Sequence, residues 1–185
     1  MSDSYNSDLR RAERRAFLAG ASVFALTSIH HVYGAIRYDT PERYYAAVIA
    51  AVAAILSLGA LRLSRARPTS AIGQAAWWAF LGVNATVFVL LFGAIEGLYN
   101  HALKDTLYFG GAPLAQMRVL FPAPAYEMPN DWFFEVTGVL QVIPAAVTAY
   151  YLNRLIRRRP RKAEAPAWAA LAASPNNGPN DQQRA

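Results

Sequence analysis

Residues 17–36 read FLAGASVFALTSIHHVYGAI, and this stretch decides the fold. Its length matches the roughly 20 residues that one helix needs to cross the hydrocarbon core of a bilayer. The run holds no Asp, Glu, Lys or Arg, yet it contains the adjacent pair His30 and His31 near its end. Ionisable side chains inside a membrane are costly and usually serve a function. We therefore expect a membrane-spanning helix that carries chemistry near one end.

Three further apolar runs have comparable lengths, at about residues 44–61, 72–99 and 132–156. Continuous apolar runs without strand-like alternation favour helices, and a helix satisfies its own backbone hydrogen bonds in lipid. The sequence therefore predicts an all-α membrane protein, a four-helix transmembrane bundle within residues 17–156. A basic N-terminal region, residues 1–16, precedes the bundle. A tail that is first basic and then disordered, residues 157–185, follows it.

The basic residues are distributed unevenly between the two sides of the predicted bundle. Fourteen of the eighteen lie on the side that holds both termini: Arg10, Arg11, Arg14, Arg15, Arg62, Arg65, Arg67, Arg154, Arg157, Arg158, Arg159, Arg161, Lys162 and Arg184. The other four are Arg37, Arg43, Lys104 and Arg118. Because Lys and Arg concentrate in cytoplasmic loops, we predict that both termini are cytoplasmic. Frequent alanine and arginine favour a bacterial inner (plasma) membrane.

Composition narrows the classes of function. The chain is 55% hydrophobic and 16% charged, whereas soluble domains average roughly 25% charged residues. The net charge of +6 comes from arginines beside apolar runs, which indicates a lipid bilayer as the partner and not a nucleic acid. The chain has no cysteine, which excludes disulfides, iron–sulfur clusters and thiolate metal sites. It also lacks a phosphate-binding loop, a nucleophile elbow and a zinc-protease motif.

A competing interpretation concerns the N-terminus. Residues 14–20, RRAFLAG, are similar to a twin-arginine export signal, with paired arginines ahead of an apolar stretch. Cleavage after Ala35 would remove both histidines of the first helix. The absence of a clear small-residue cleavage motif and the three later spans favour a retained first helix.

The polar residues of the spans gather near the extracytoplasmic ends of three helices. This layer comprises His30, His31, Glu96, Asn100, His101, Asp131 and Glu135. Glu96 lies near the C-terminal end of its helix, where the helix dipole opposes a carboxylate. It therefore requires a proton, a cation or a metal ion. Arg37 is the candidate partner if the role is a structural ion pair. Asp131, after Pro129, is predicted to cap the fourth helix, and Thr40 the second.

Helix geometry suggests which of these side chains face one another. Adjacent residues differ by about 100° in direction, so His30 and His31 are not expected to share a ligand atom. His31 lies on a stripe of small and polar residues, and we favour it as the inward histidine. Glu96 and His101 are five residues apart, so an α-helix would not place them on one face.

The residue types in this layer suggest a metal site. Imidazole and carboxylate suit iron, zinc, manganese or copper(II). We predict that His31, Glu96 and Glu135 hold a transition metal ion or a small polar molecule, with His30, His101 and Asn100 nearby. A haem held by His31 and His101 is a further alternative.

A long extracytoplasmic connection, residues 102–130, joins the third and fourth helices. Loops of this length are uncommon unless they are functional. Residues 113–121 are predicted to form a short interfacial helix, and the loop then forms either a mobile lid or a static cap over the polar layer.

The sequence does not define a specific activity. The leading hypothesis is a small membrane protein with a His/Glu site that binds a metal ion or small molecule, with redox chemistry as one use. The alternative is a non-catalytic accessory or scaffold subunit, whose polar layer is structural and whose partner is a homo-oligomer or a larger membrane complex. A small oligomeric transporter is a third hypothesis, which the apolar inner halves of the spans disfavour.

Overall fold

Helices make up most of the described part of the chain. A computed structural model describes residues 2–122 and 127–158, with side chains from residue 7 onward, and this part contains no strand. The disorder predicted for the tail falls mainly on residues 159–185, which lie outside the described residues.

Nine helical elements follow one another in the described residues. Helix α1 covers Ser2–Arg37, a 3-10 turn covers Pro41–Arg43, and α2 covers Tyr44–Ala66. Helix α3, Ala71–Val83, continues into a π-helical segment, Asn84–Leu103, and then into α4, Lys104–Phe109. The remaining helices are α5, Leu114–Leu120, α6, Trp132–Leu140, and α7, Val142–Arg158.

Four stretches are long and apolar enough to cross a membrane: Ser7–Arg37, Pro41–Ala66, Ala71–Phe109 and Trp132–Arg158. We call them the first to fourth spans. They confirm a bundle of four apolar helices and indicate an integral membrane protein. The helices extend beyond the predicted apolar runs, since α1 begins at Ser2 and the third span continues to Phe109. This extension turns part of the predicted loop into helix and places His101 on the third span.

The spans pack as a ring in chain order. The first span contacts the second and fourth, and the third contacts the second and fourth. The interior holds apolar side chains such as Phe80, Phe88 and Leu155, each almost completely buried. Large apolar side chains point outward, with Ile36 72% and Ile55 70% exposed. An apolar exterior of this kind suits contact with acyl chains instead of water.

Two polar contacts link the spans halfway along the bundle. Thr27 hydrogen-bonds the side chain of Gln141, joining the first and fourth spans. Asn84 donates to Ser57 Oγ over 2.7 Å, joining the third and second spans. These four side chains are buried, and interhelical hydrogen bonds in membranes contribute about 0.6 kcal/mol each on average.

The helix starts agree only in part with the predicted caps. Asp131 Oδ1 accepts hydrogen bonds from the backbone N–H groups of Phe133 and Phe134, both at 3.1 Å, which confirms it as the cap of α6. Thr40 takes the predicted N-cap position, directly before the 3-10 turn that leads into α2, but its side chain makes no capping bond. Thr40 Oγ1 instead accepts from Arg43 Nε at 2.7 Å.

The connection after the third span docks against the bundle through α5. Met117 and Phe121 are fully buried, and Tyr99 donates from its hydroxyl to the carbonyl of Leu120 at 2.8 Å. The predicted short helix in this connection is therefore present. It is packed over the end of the bundle that carries the polar layer.

Candidate functional site

Three hydrogen-bond acceptors converge inside the bundle. His30 Nε2 lies 3.1 Å from His101 Nε2, and Glu96 Oε1 lies 3.3 Å from the first and 3.5 Å from the second. Both histidines are at most 2% exposed. When a metal ion holds tetrahedral ligand atoms at about 2.0–2.1 Å, any two of those atoms lie about 3.3 Å apart. The three distances fit that spacing, and we call this group the acceptor triangle.

Thr137 favours one tautomer of His30. Its hydroxyl donates to the carbonyl of Phe133 at 2.7 Å, so its oxygen is an acceptor toward His30 Nδ1, 3.1 Å away. This arrangement favours the His30 tautomer with its proton on Nδ1, which presents the lone pair of Nε2 to the triangle. Phe134 stacks on the His30 ring, with centroids 4.1 Å apart, and holds its plane.

Glu135 has the same effect on His101. His101 Nδ1 lies 2.6 Å from Glu135 Oε2, and a carboxylate there favours the tautomer with the proton on Nδ1. The Nε2 lone pair of His101 then also faces the triangle. Metal-ligating imidazoles usually donate from their other ring nitrogen to a carboxylate of this kind. His30 and His101 are thus both oriented as ligands.

Lys104 completes the electrostatics behind His101. Its ammonium is almost completely buried and lies 3.3 Å from Glu135 Oε2. It also donates to the backbone carbonyl of Glu127 at 2.9 Å. Glu135 is therefore kept ionised and ready to accept from His101. Lys104 was not among the predicted site residues, and its spacing three residues after His101 was the available signal.

The π-helical segment explains why Glu96 and His101 meet. Its i→i+5 hydrogen bonds bring residues five apart close to one face, whereas an α-helix would separate them. The prediction that these two side chains do not share a face is therefore wrong. Asn100 also lies on this face and donates from Nδ2 to Glu96 Oε2 at 2.8 Å.

Of the two adjacent histidines, His30 is the more deeply placed. The preference for His31 as the inward residue is wrong in this respect, because His30 is fully buried and lies in the triangle. His31 is 8% exposed, and its Nε2 lies 3.7 Å from Glu96 Oε1. Both histidines thus approach the same carboxylate oxygen, contrary to the expectation that they would not share one.

The predicted ligand set of His31, Glu96 and Glu135 does not form one compact group. Glu96 belongs to the triangle, Glu135 lies behind His101, and His31 lies at the edge of the triangle. The compact group in the described residues is instead His30, Glu96 and His101. A second close group comprises His101, Asp105 and Glu135, but the ammonium of Lys104 already supplies a cation there.

Arg37 pairs with a different carboxylate from the one predicted. Its Nε lies 3.1 Å from Asp131 Oδ2, and the three histidines surround Glu96 instead. The backbone N–H of Phe134, with Tyr33 and Arg37, lowers the pKa of Asp131. Nearby, burial raises the pKa of Tyr38 to about 12. The Tyr38 hydroxyl therefore stays protonated and donates to Asn130 Oδ1 at 2.7 Å.

The haem alternative would use His31 and His101, and a carboxylate lies beside both of them. Glu96 Oε1 lies 3.7 Å from His31 Nε2 and 3.5 Å from His101 Nε2. Imidazole nitrogens together with a carboxylate oxygen are donors that suit a bare metal ion.

Comparisons with known proteins identify no relative. No family model matches the chain, and neither the curated proteins nor the solved structures give a match. Fold and site together therefore define the class of protein: a four-span helical bundle with a buried histidine–carboxylate centre.

Proposed function

We propose that this protein binds a divalent transition metal ion through His30 Nε2, His101 Nε2 and Glu96 Oε1. The observation that carries the proposal is the convergence of three ligand atoms, since the neighbours of both histidines favour a proton on Nδ1. Three lone-pair-bearing atoms at 3.1–3.5 Å repel one another unless a metal ion or an added proton lies between them. A metal ion fits the spacing that the triangle already has.

The donor types of the ligand set suit iron(II) and several other divalent metals. Two histidines and one carboxylate that leave positions open form the facial triad of non-haem iron proteins. Zinc, manganese and copper(II) also accept these donors. Three protein ligands with open positions are typical of a catalytic metal and not of a closed structural site. We therefore propose a metal-dependent activity, redox or metal-assisted, at this end of the bundle.

Metal titration tests this proposal. The full chain, purified in detergent and stripped with a chelator, is titrated with iron(II) under anaerobic conditions and, in parallel, with zinc and cobalt(II). We expect one ion per chain and a rise in thermal stability with ion concentration, because an ion that binds the folded state stabilises it. Stability that no ion changes, together with no bound ion, would contradict the proposal.

A non-catalytic scaffold is the second candidate, and one contact favours it. Glu135 pairs with both Lys104 and His101, so these three side chains form a continuous ion-pair network. An extra proton on one imidazole would satisfy the triangle without a metal ion. On this alternative the protein is an accessory subunit that packs against a membrane partner or a second copy. Metal-independent stability would support it.

Replacing Glu135 separates the two roles of its carboxylate. Glu135→Gln removes the carboxylate that pairs with buried Lys104, which we expect to cost about 3 kcal/mol of unfolding free energy. It also weakens the orientation of His101, which we expect to lower metal affinity about 10–100-fold. The double variant Glu135→Gln/Lys104→Met should recover most of the stability but not the affinity. Recovery of both would show that Glu135 does not act on the metal.

We also infer that both termini are cytoplasmic and that the site faces the extracytoplasmic side of a bacterial inner membrane. The excess of arginine on the terminal side supports this orientation. Because the chain has no cysteine, single cysteines can report the topology. Gln116→Cys should react with an impermeant thiol reagent in intact cells, and Thr69→Cys only after lysis. The opposite pattern would reverse the orientation.

A further inference from the structure

A cavity of about 220 Å³ opens onto the proposed metal site. The side chains of interest in its lining are His31, Arg43, Glu96, Asn100, His101 and Lys104. An engineered apolar cavity of about 150 Å³ holds benzene, so this cavity suits a molecule of about five to ten non-hydrogen atoms. The cavity therefore gives a small molecule access to the open side of the triangle.

Asn100 presents an unused acceptor to the cavity. It is 8% exposed, and its Oδ1 has no hydrogen-bond partner among the described residues. The amide orientation is fixed, because Glu96 Oε2 can only accept and so requires Nδ2 on its side. A buried acceptor without a partner is costly. A molecule in the cavity therefore gains most if it donates a hydrogen bond to Asn100 Oδ1.

His31 is the second unsatisfied group. Both of its ring nitrogens are buried without a hydrogen-bond partner in the described part of the chain. A neutral imidazole offers one donor and one acceptor. His31 lies beside Glu96 Oε1, at the edge of the triangle. It can therefore contact a molecule bound at the metal although it is not one of the three proposed metal ligands.

Arg43 adds a positive charge at the cavity. Its Nε donates to Thr40 Oγ1 at 2.7 Å, and its guanidinium lies over the ring of Phe134 at 5.1 Å. No ion pair engages it within the described ranges, so its remaining N–H groups are free to bind a carboxylate in a bidentate fork. Arg43 is a cation of this cavity without an ion pair in the described residues, whereas Glu96 and Glu135 already lie against the histidines and Lys104. Glu42 and Glu127 also line the cavity, and both are at least partly exposed to solvent, which screens their charges.

We propose, on the basis of the metal site proposed above, that the ligand of this cavity is a small hydroxylated carboxylate. Its carboxylate faces Arg43, its hydroxyl reaches the metal, and the hydroxyl proton is donated to Asn100 Oδ1. A plain carboxylate lacks the donor for Asn100, and a plain alcohol lacks the charge for Arg43. The structure thus selects for both groups on one small molecule.

Ligand titration of the cobalt(II)-loaded full chain tests the proposal. The visible absorption of cobalt(II) is followed while glycolate, acetate or ethylene glycol is added. We expect glycolate to bind at least about tenfold more tightly than either of the others, since it alone carries both groups. Equal affinity for glycolate and acetate, or for glycolate and ethylene glycol, would overturn the proposal.

Two variants locate the ligand. Arg43→Lys keeps the charge but loses the fork, and Asn100→Ala removes the acceptor. Each should weaken glycolate binding about tenfold or more, while Arg118→Lys, on exposed α5, should leave it unchanged. Glycolate affinity within twofold of wild type in both variants would place the ligand elsewhere. Failure to bind cobalt(II) at all would instead contradict the metal site itself, so the two proposals fail separately.

Discussion

Replacing either His30 or His101 with alanine is expected to lower metal affinity by more than about a hundredfold. Loss of a group that only orients a ligand costs about 10–100-fold, and each of these substitutions removes the donor atom itself. The two Nε2 atoms are 3.1 Å apart, and the remaining histidine, His31, lies outside this pair with its Nε2 3.7 Å from Glu96 Oε1. Equilibrium dialysis against zinc and cobalt(II), with metal counted per chain, measures the effect.

His31→Ala is the matched control, because it removes the neighbouring imidazole from the same helix. Its Nε2 is 3.7 Å from Glu96 Oε1 and lies outside the triangle. We expect metal affinity within about tenfold of wild type and a larger loss in glycolate binding. Equal metal loss in the His30 and His31 variants would instead make His31 a full ligand. Unchanged metal affinity in the His30 and His101 variants would exclude the triangle.

The lengths and apolar character of the spans made the fold predictable from the sequence. A helix in lipid must be long and apolar for reasons of backbone hydrogen bonding and bilayer thickness, and those requirements appear directly as continuous runs. The polar layer was predictable for a related reason. An ionisable group such as Glu96 in an apolar run needs partners, and the spans bring their matching ends together in the bundle.

The pairings within the layer could not be predicted, because they depend on local helix geometry. An α-helical spacing would separate Glu96 from His101. The π-helical segment removes that separation and gives both side chains to one site. The π-helical segment also explains why both adjacent histidines approach Glu96. Its carboxylate reaches deep into the bundle and meets His30 as well as His31.

The partner of Arg37 was unpredictable for a different reason. Asp131 and Glu96 both lie toward the same end of the bundle, and sequence alone does not show which is closer to Arg37. Asp131 caps α6 at the surface, where Arg37 is exposed, whereas Glu96 is turned toward the buried histidines. A cation on a flexible side chain pairs with the carboxylate that keeps it near water.

Gly138→Ala should lower metal affinity by about tenfold or more without removing any ligand. Gly138 lies against the ring of His101, and an added Cβ would overlap that ring and come 2.6 Å from His101 Nδ1. The ring must then turn or shift, which breaks the bond from Nδ1 to Glu135 and moves Nε2 out of the triangle. Overpacking of this kind also costs about 1–3 kcal/mol of stability.

Gly82→Ala is the control, because a Cβ at Gly82 meets no heavy atom within 4 Å. It should leave metal affinity unchanged, and equal loss in both variants would indicate a general effect of glycine replacement. Wild-type affinity in Gly138→Ala would mean that the position of the His101 ring is not needed for binding. That result would count against the triangle even if His101→Ala lost the metal, because alanine at position 101 also removes a buried side chain from the junction of the third and fourth spans. The glycine variant keeps every donor atom and changes only where one of them lies, so it tests the geometry directly.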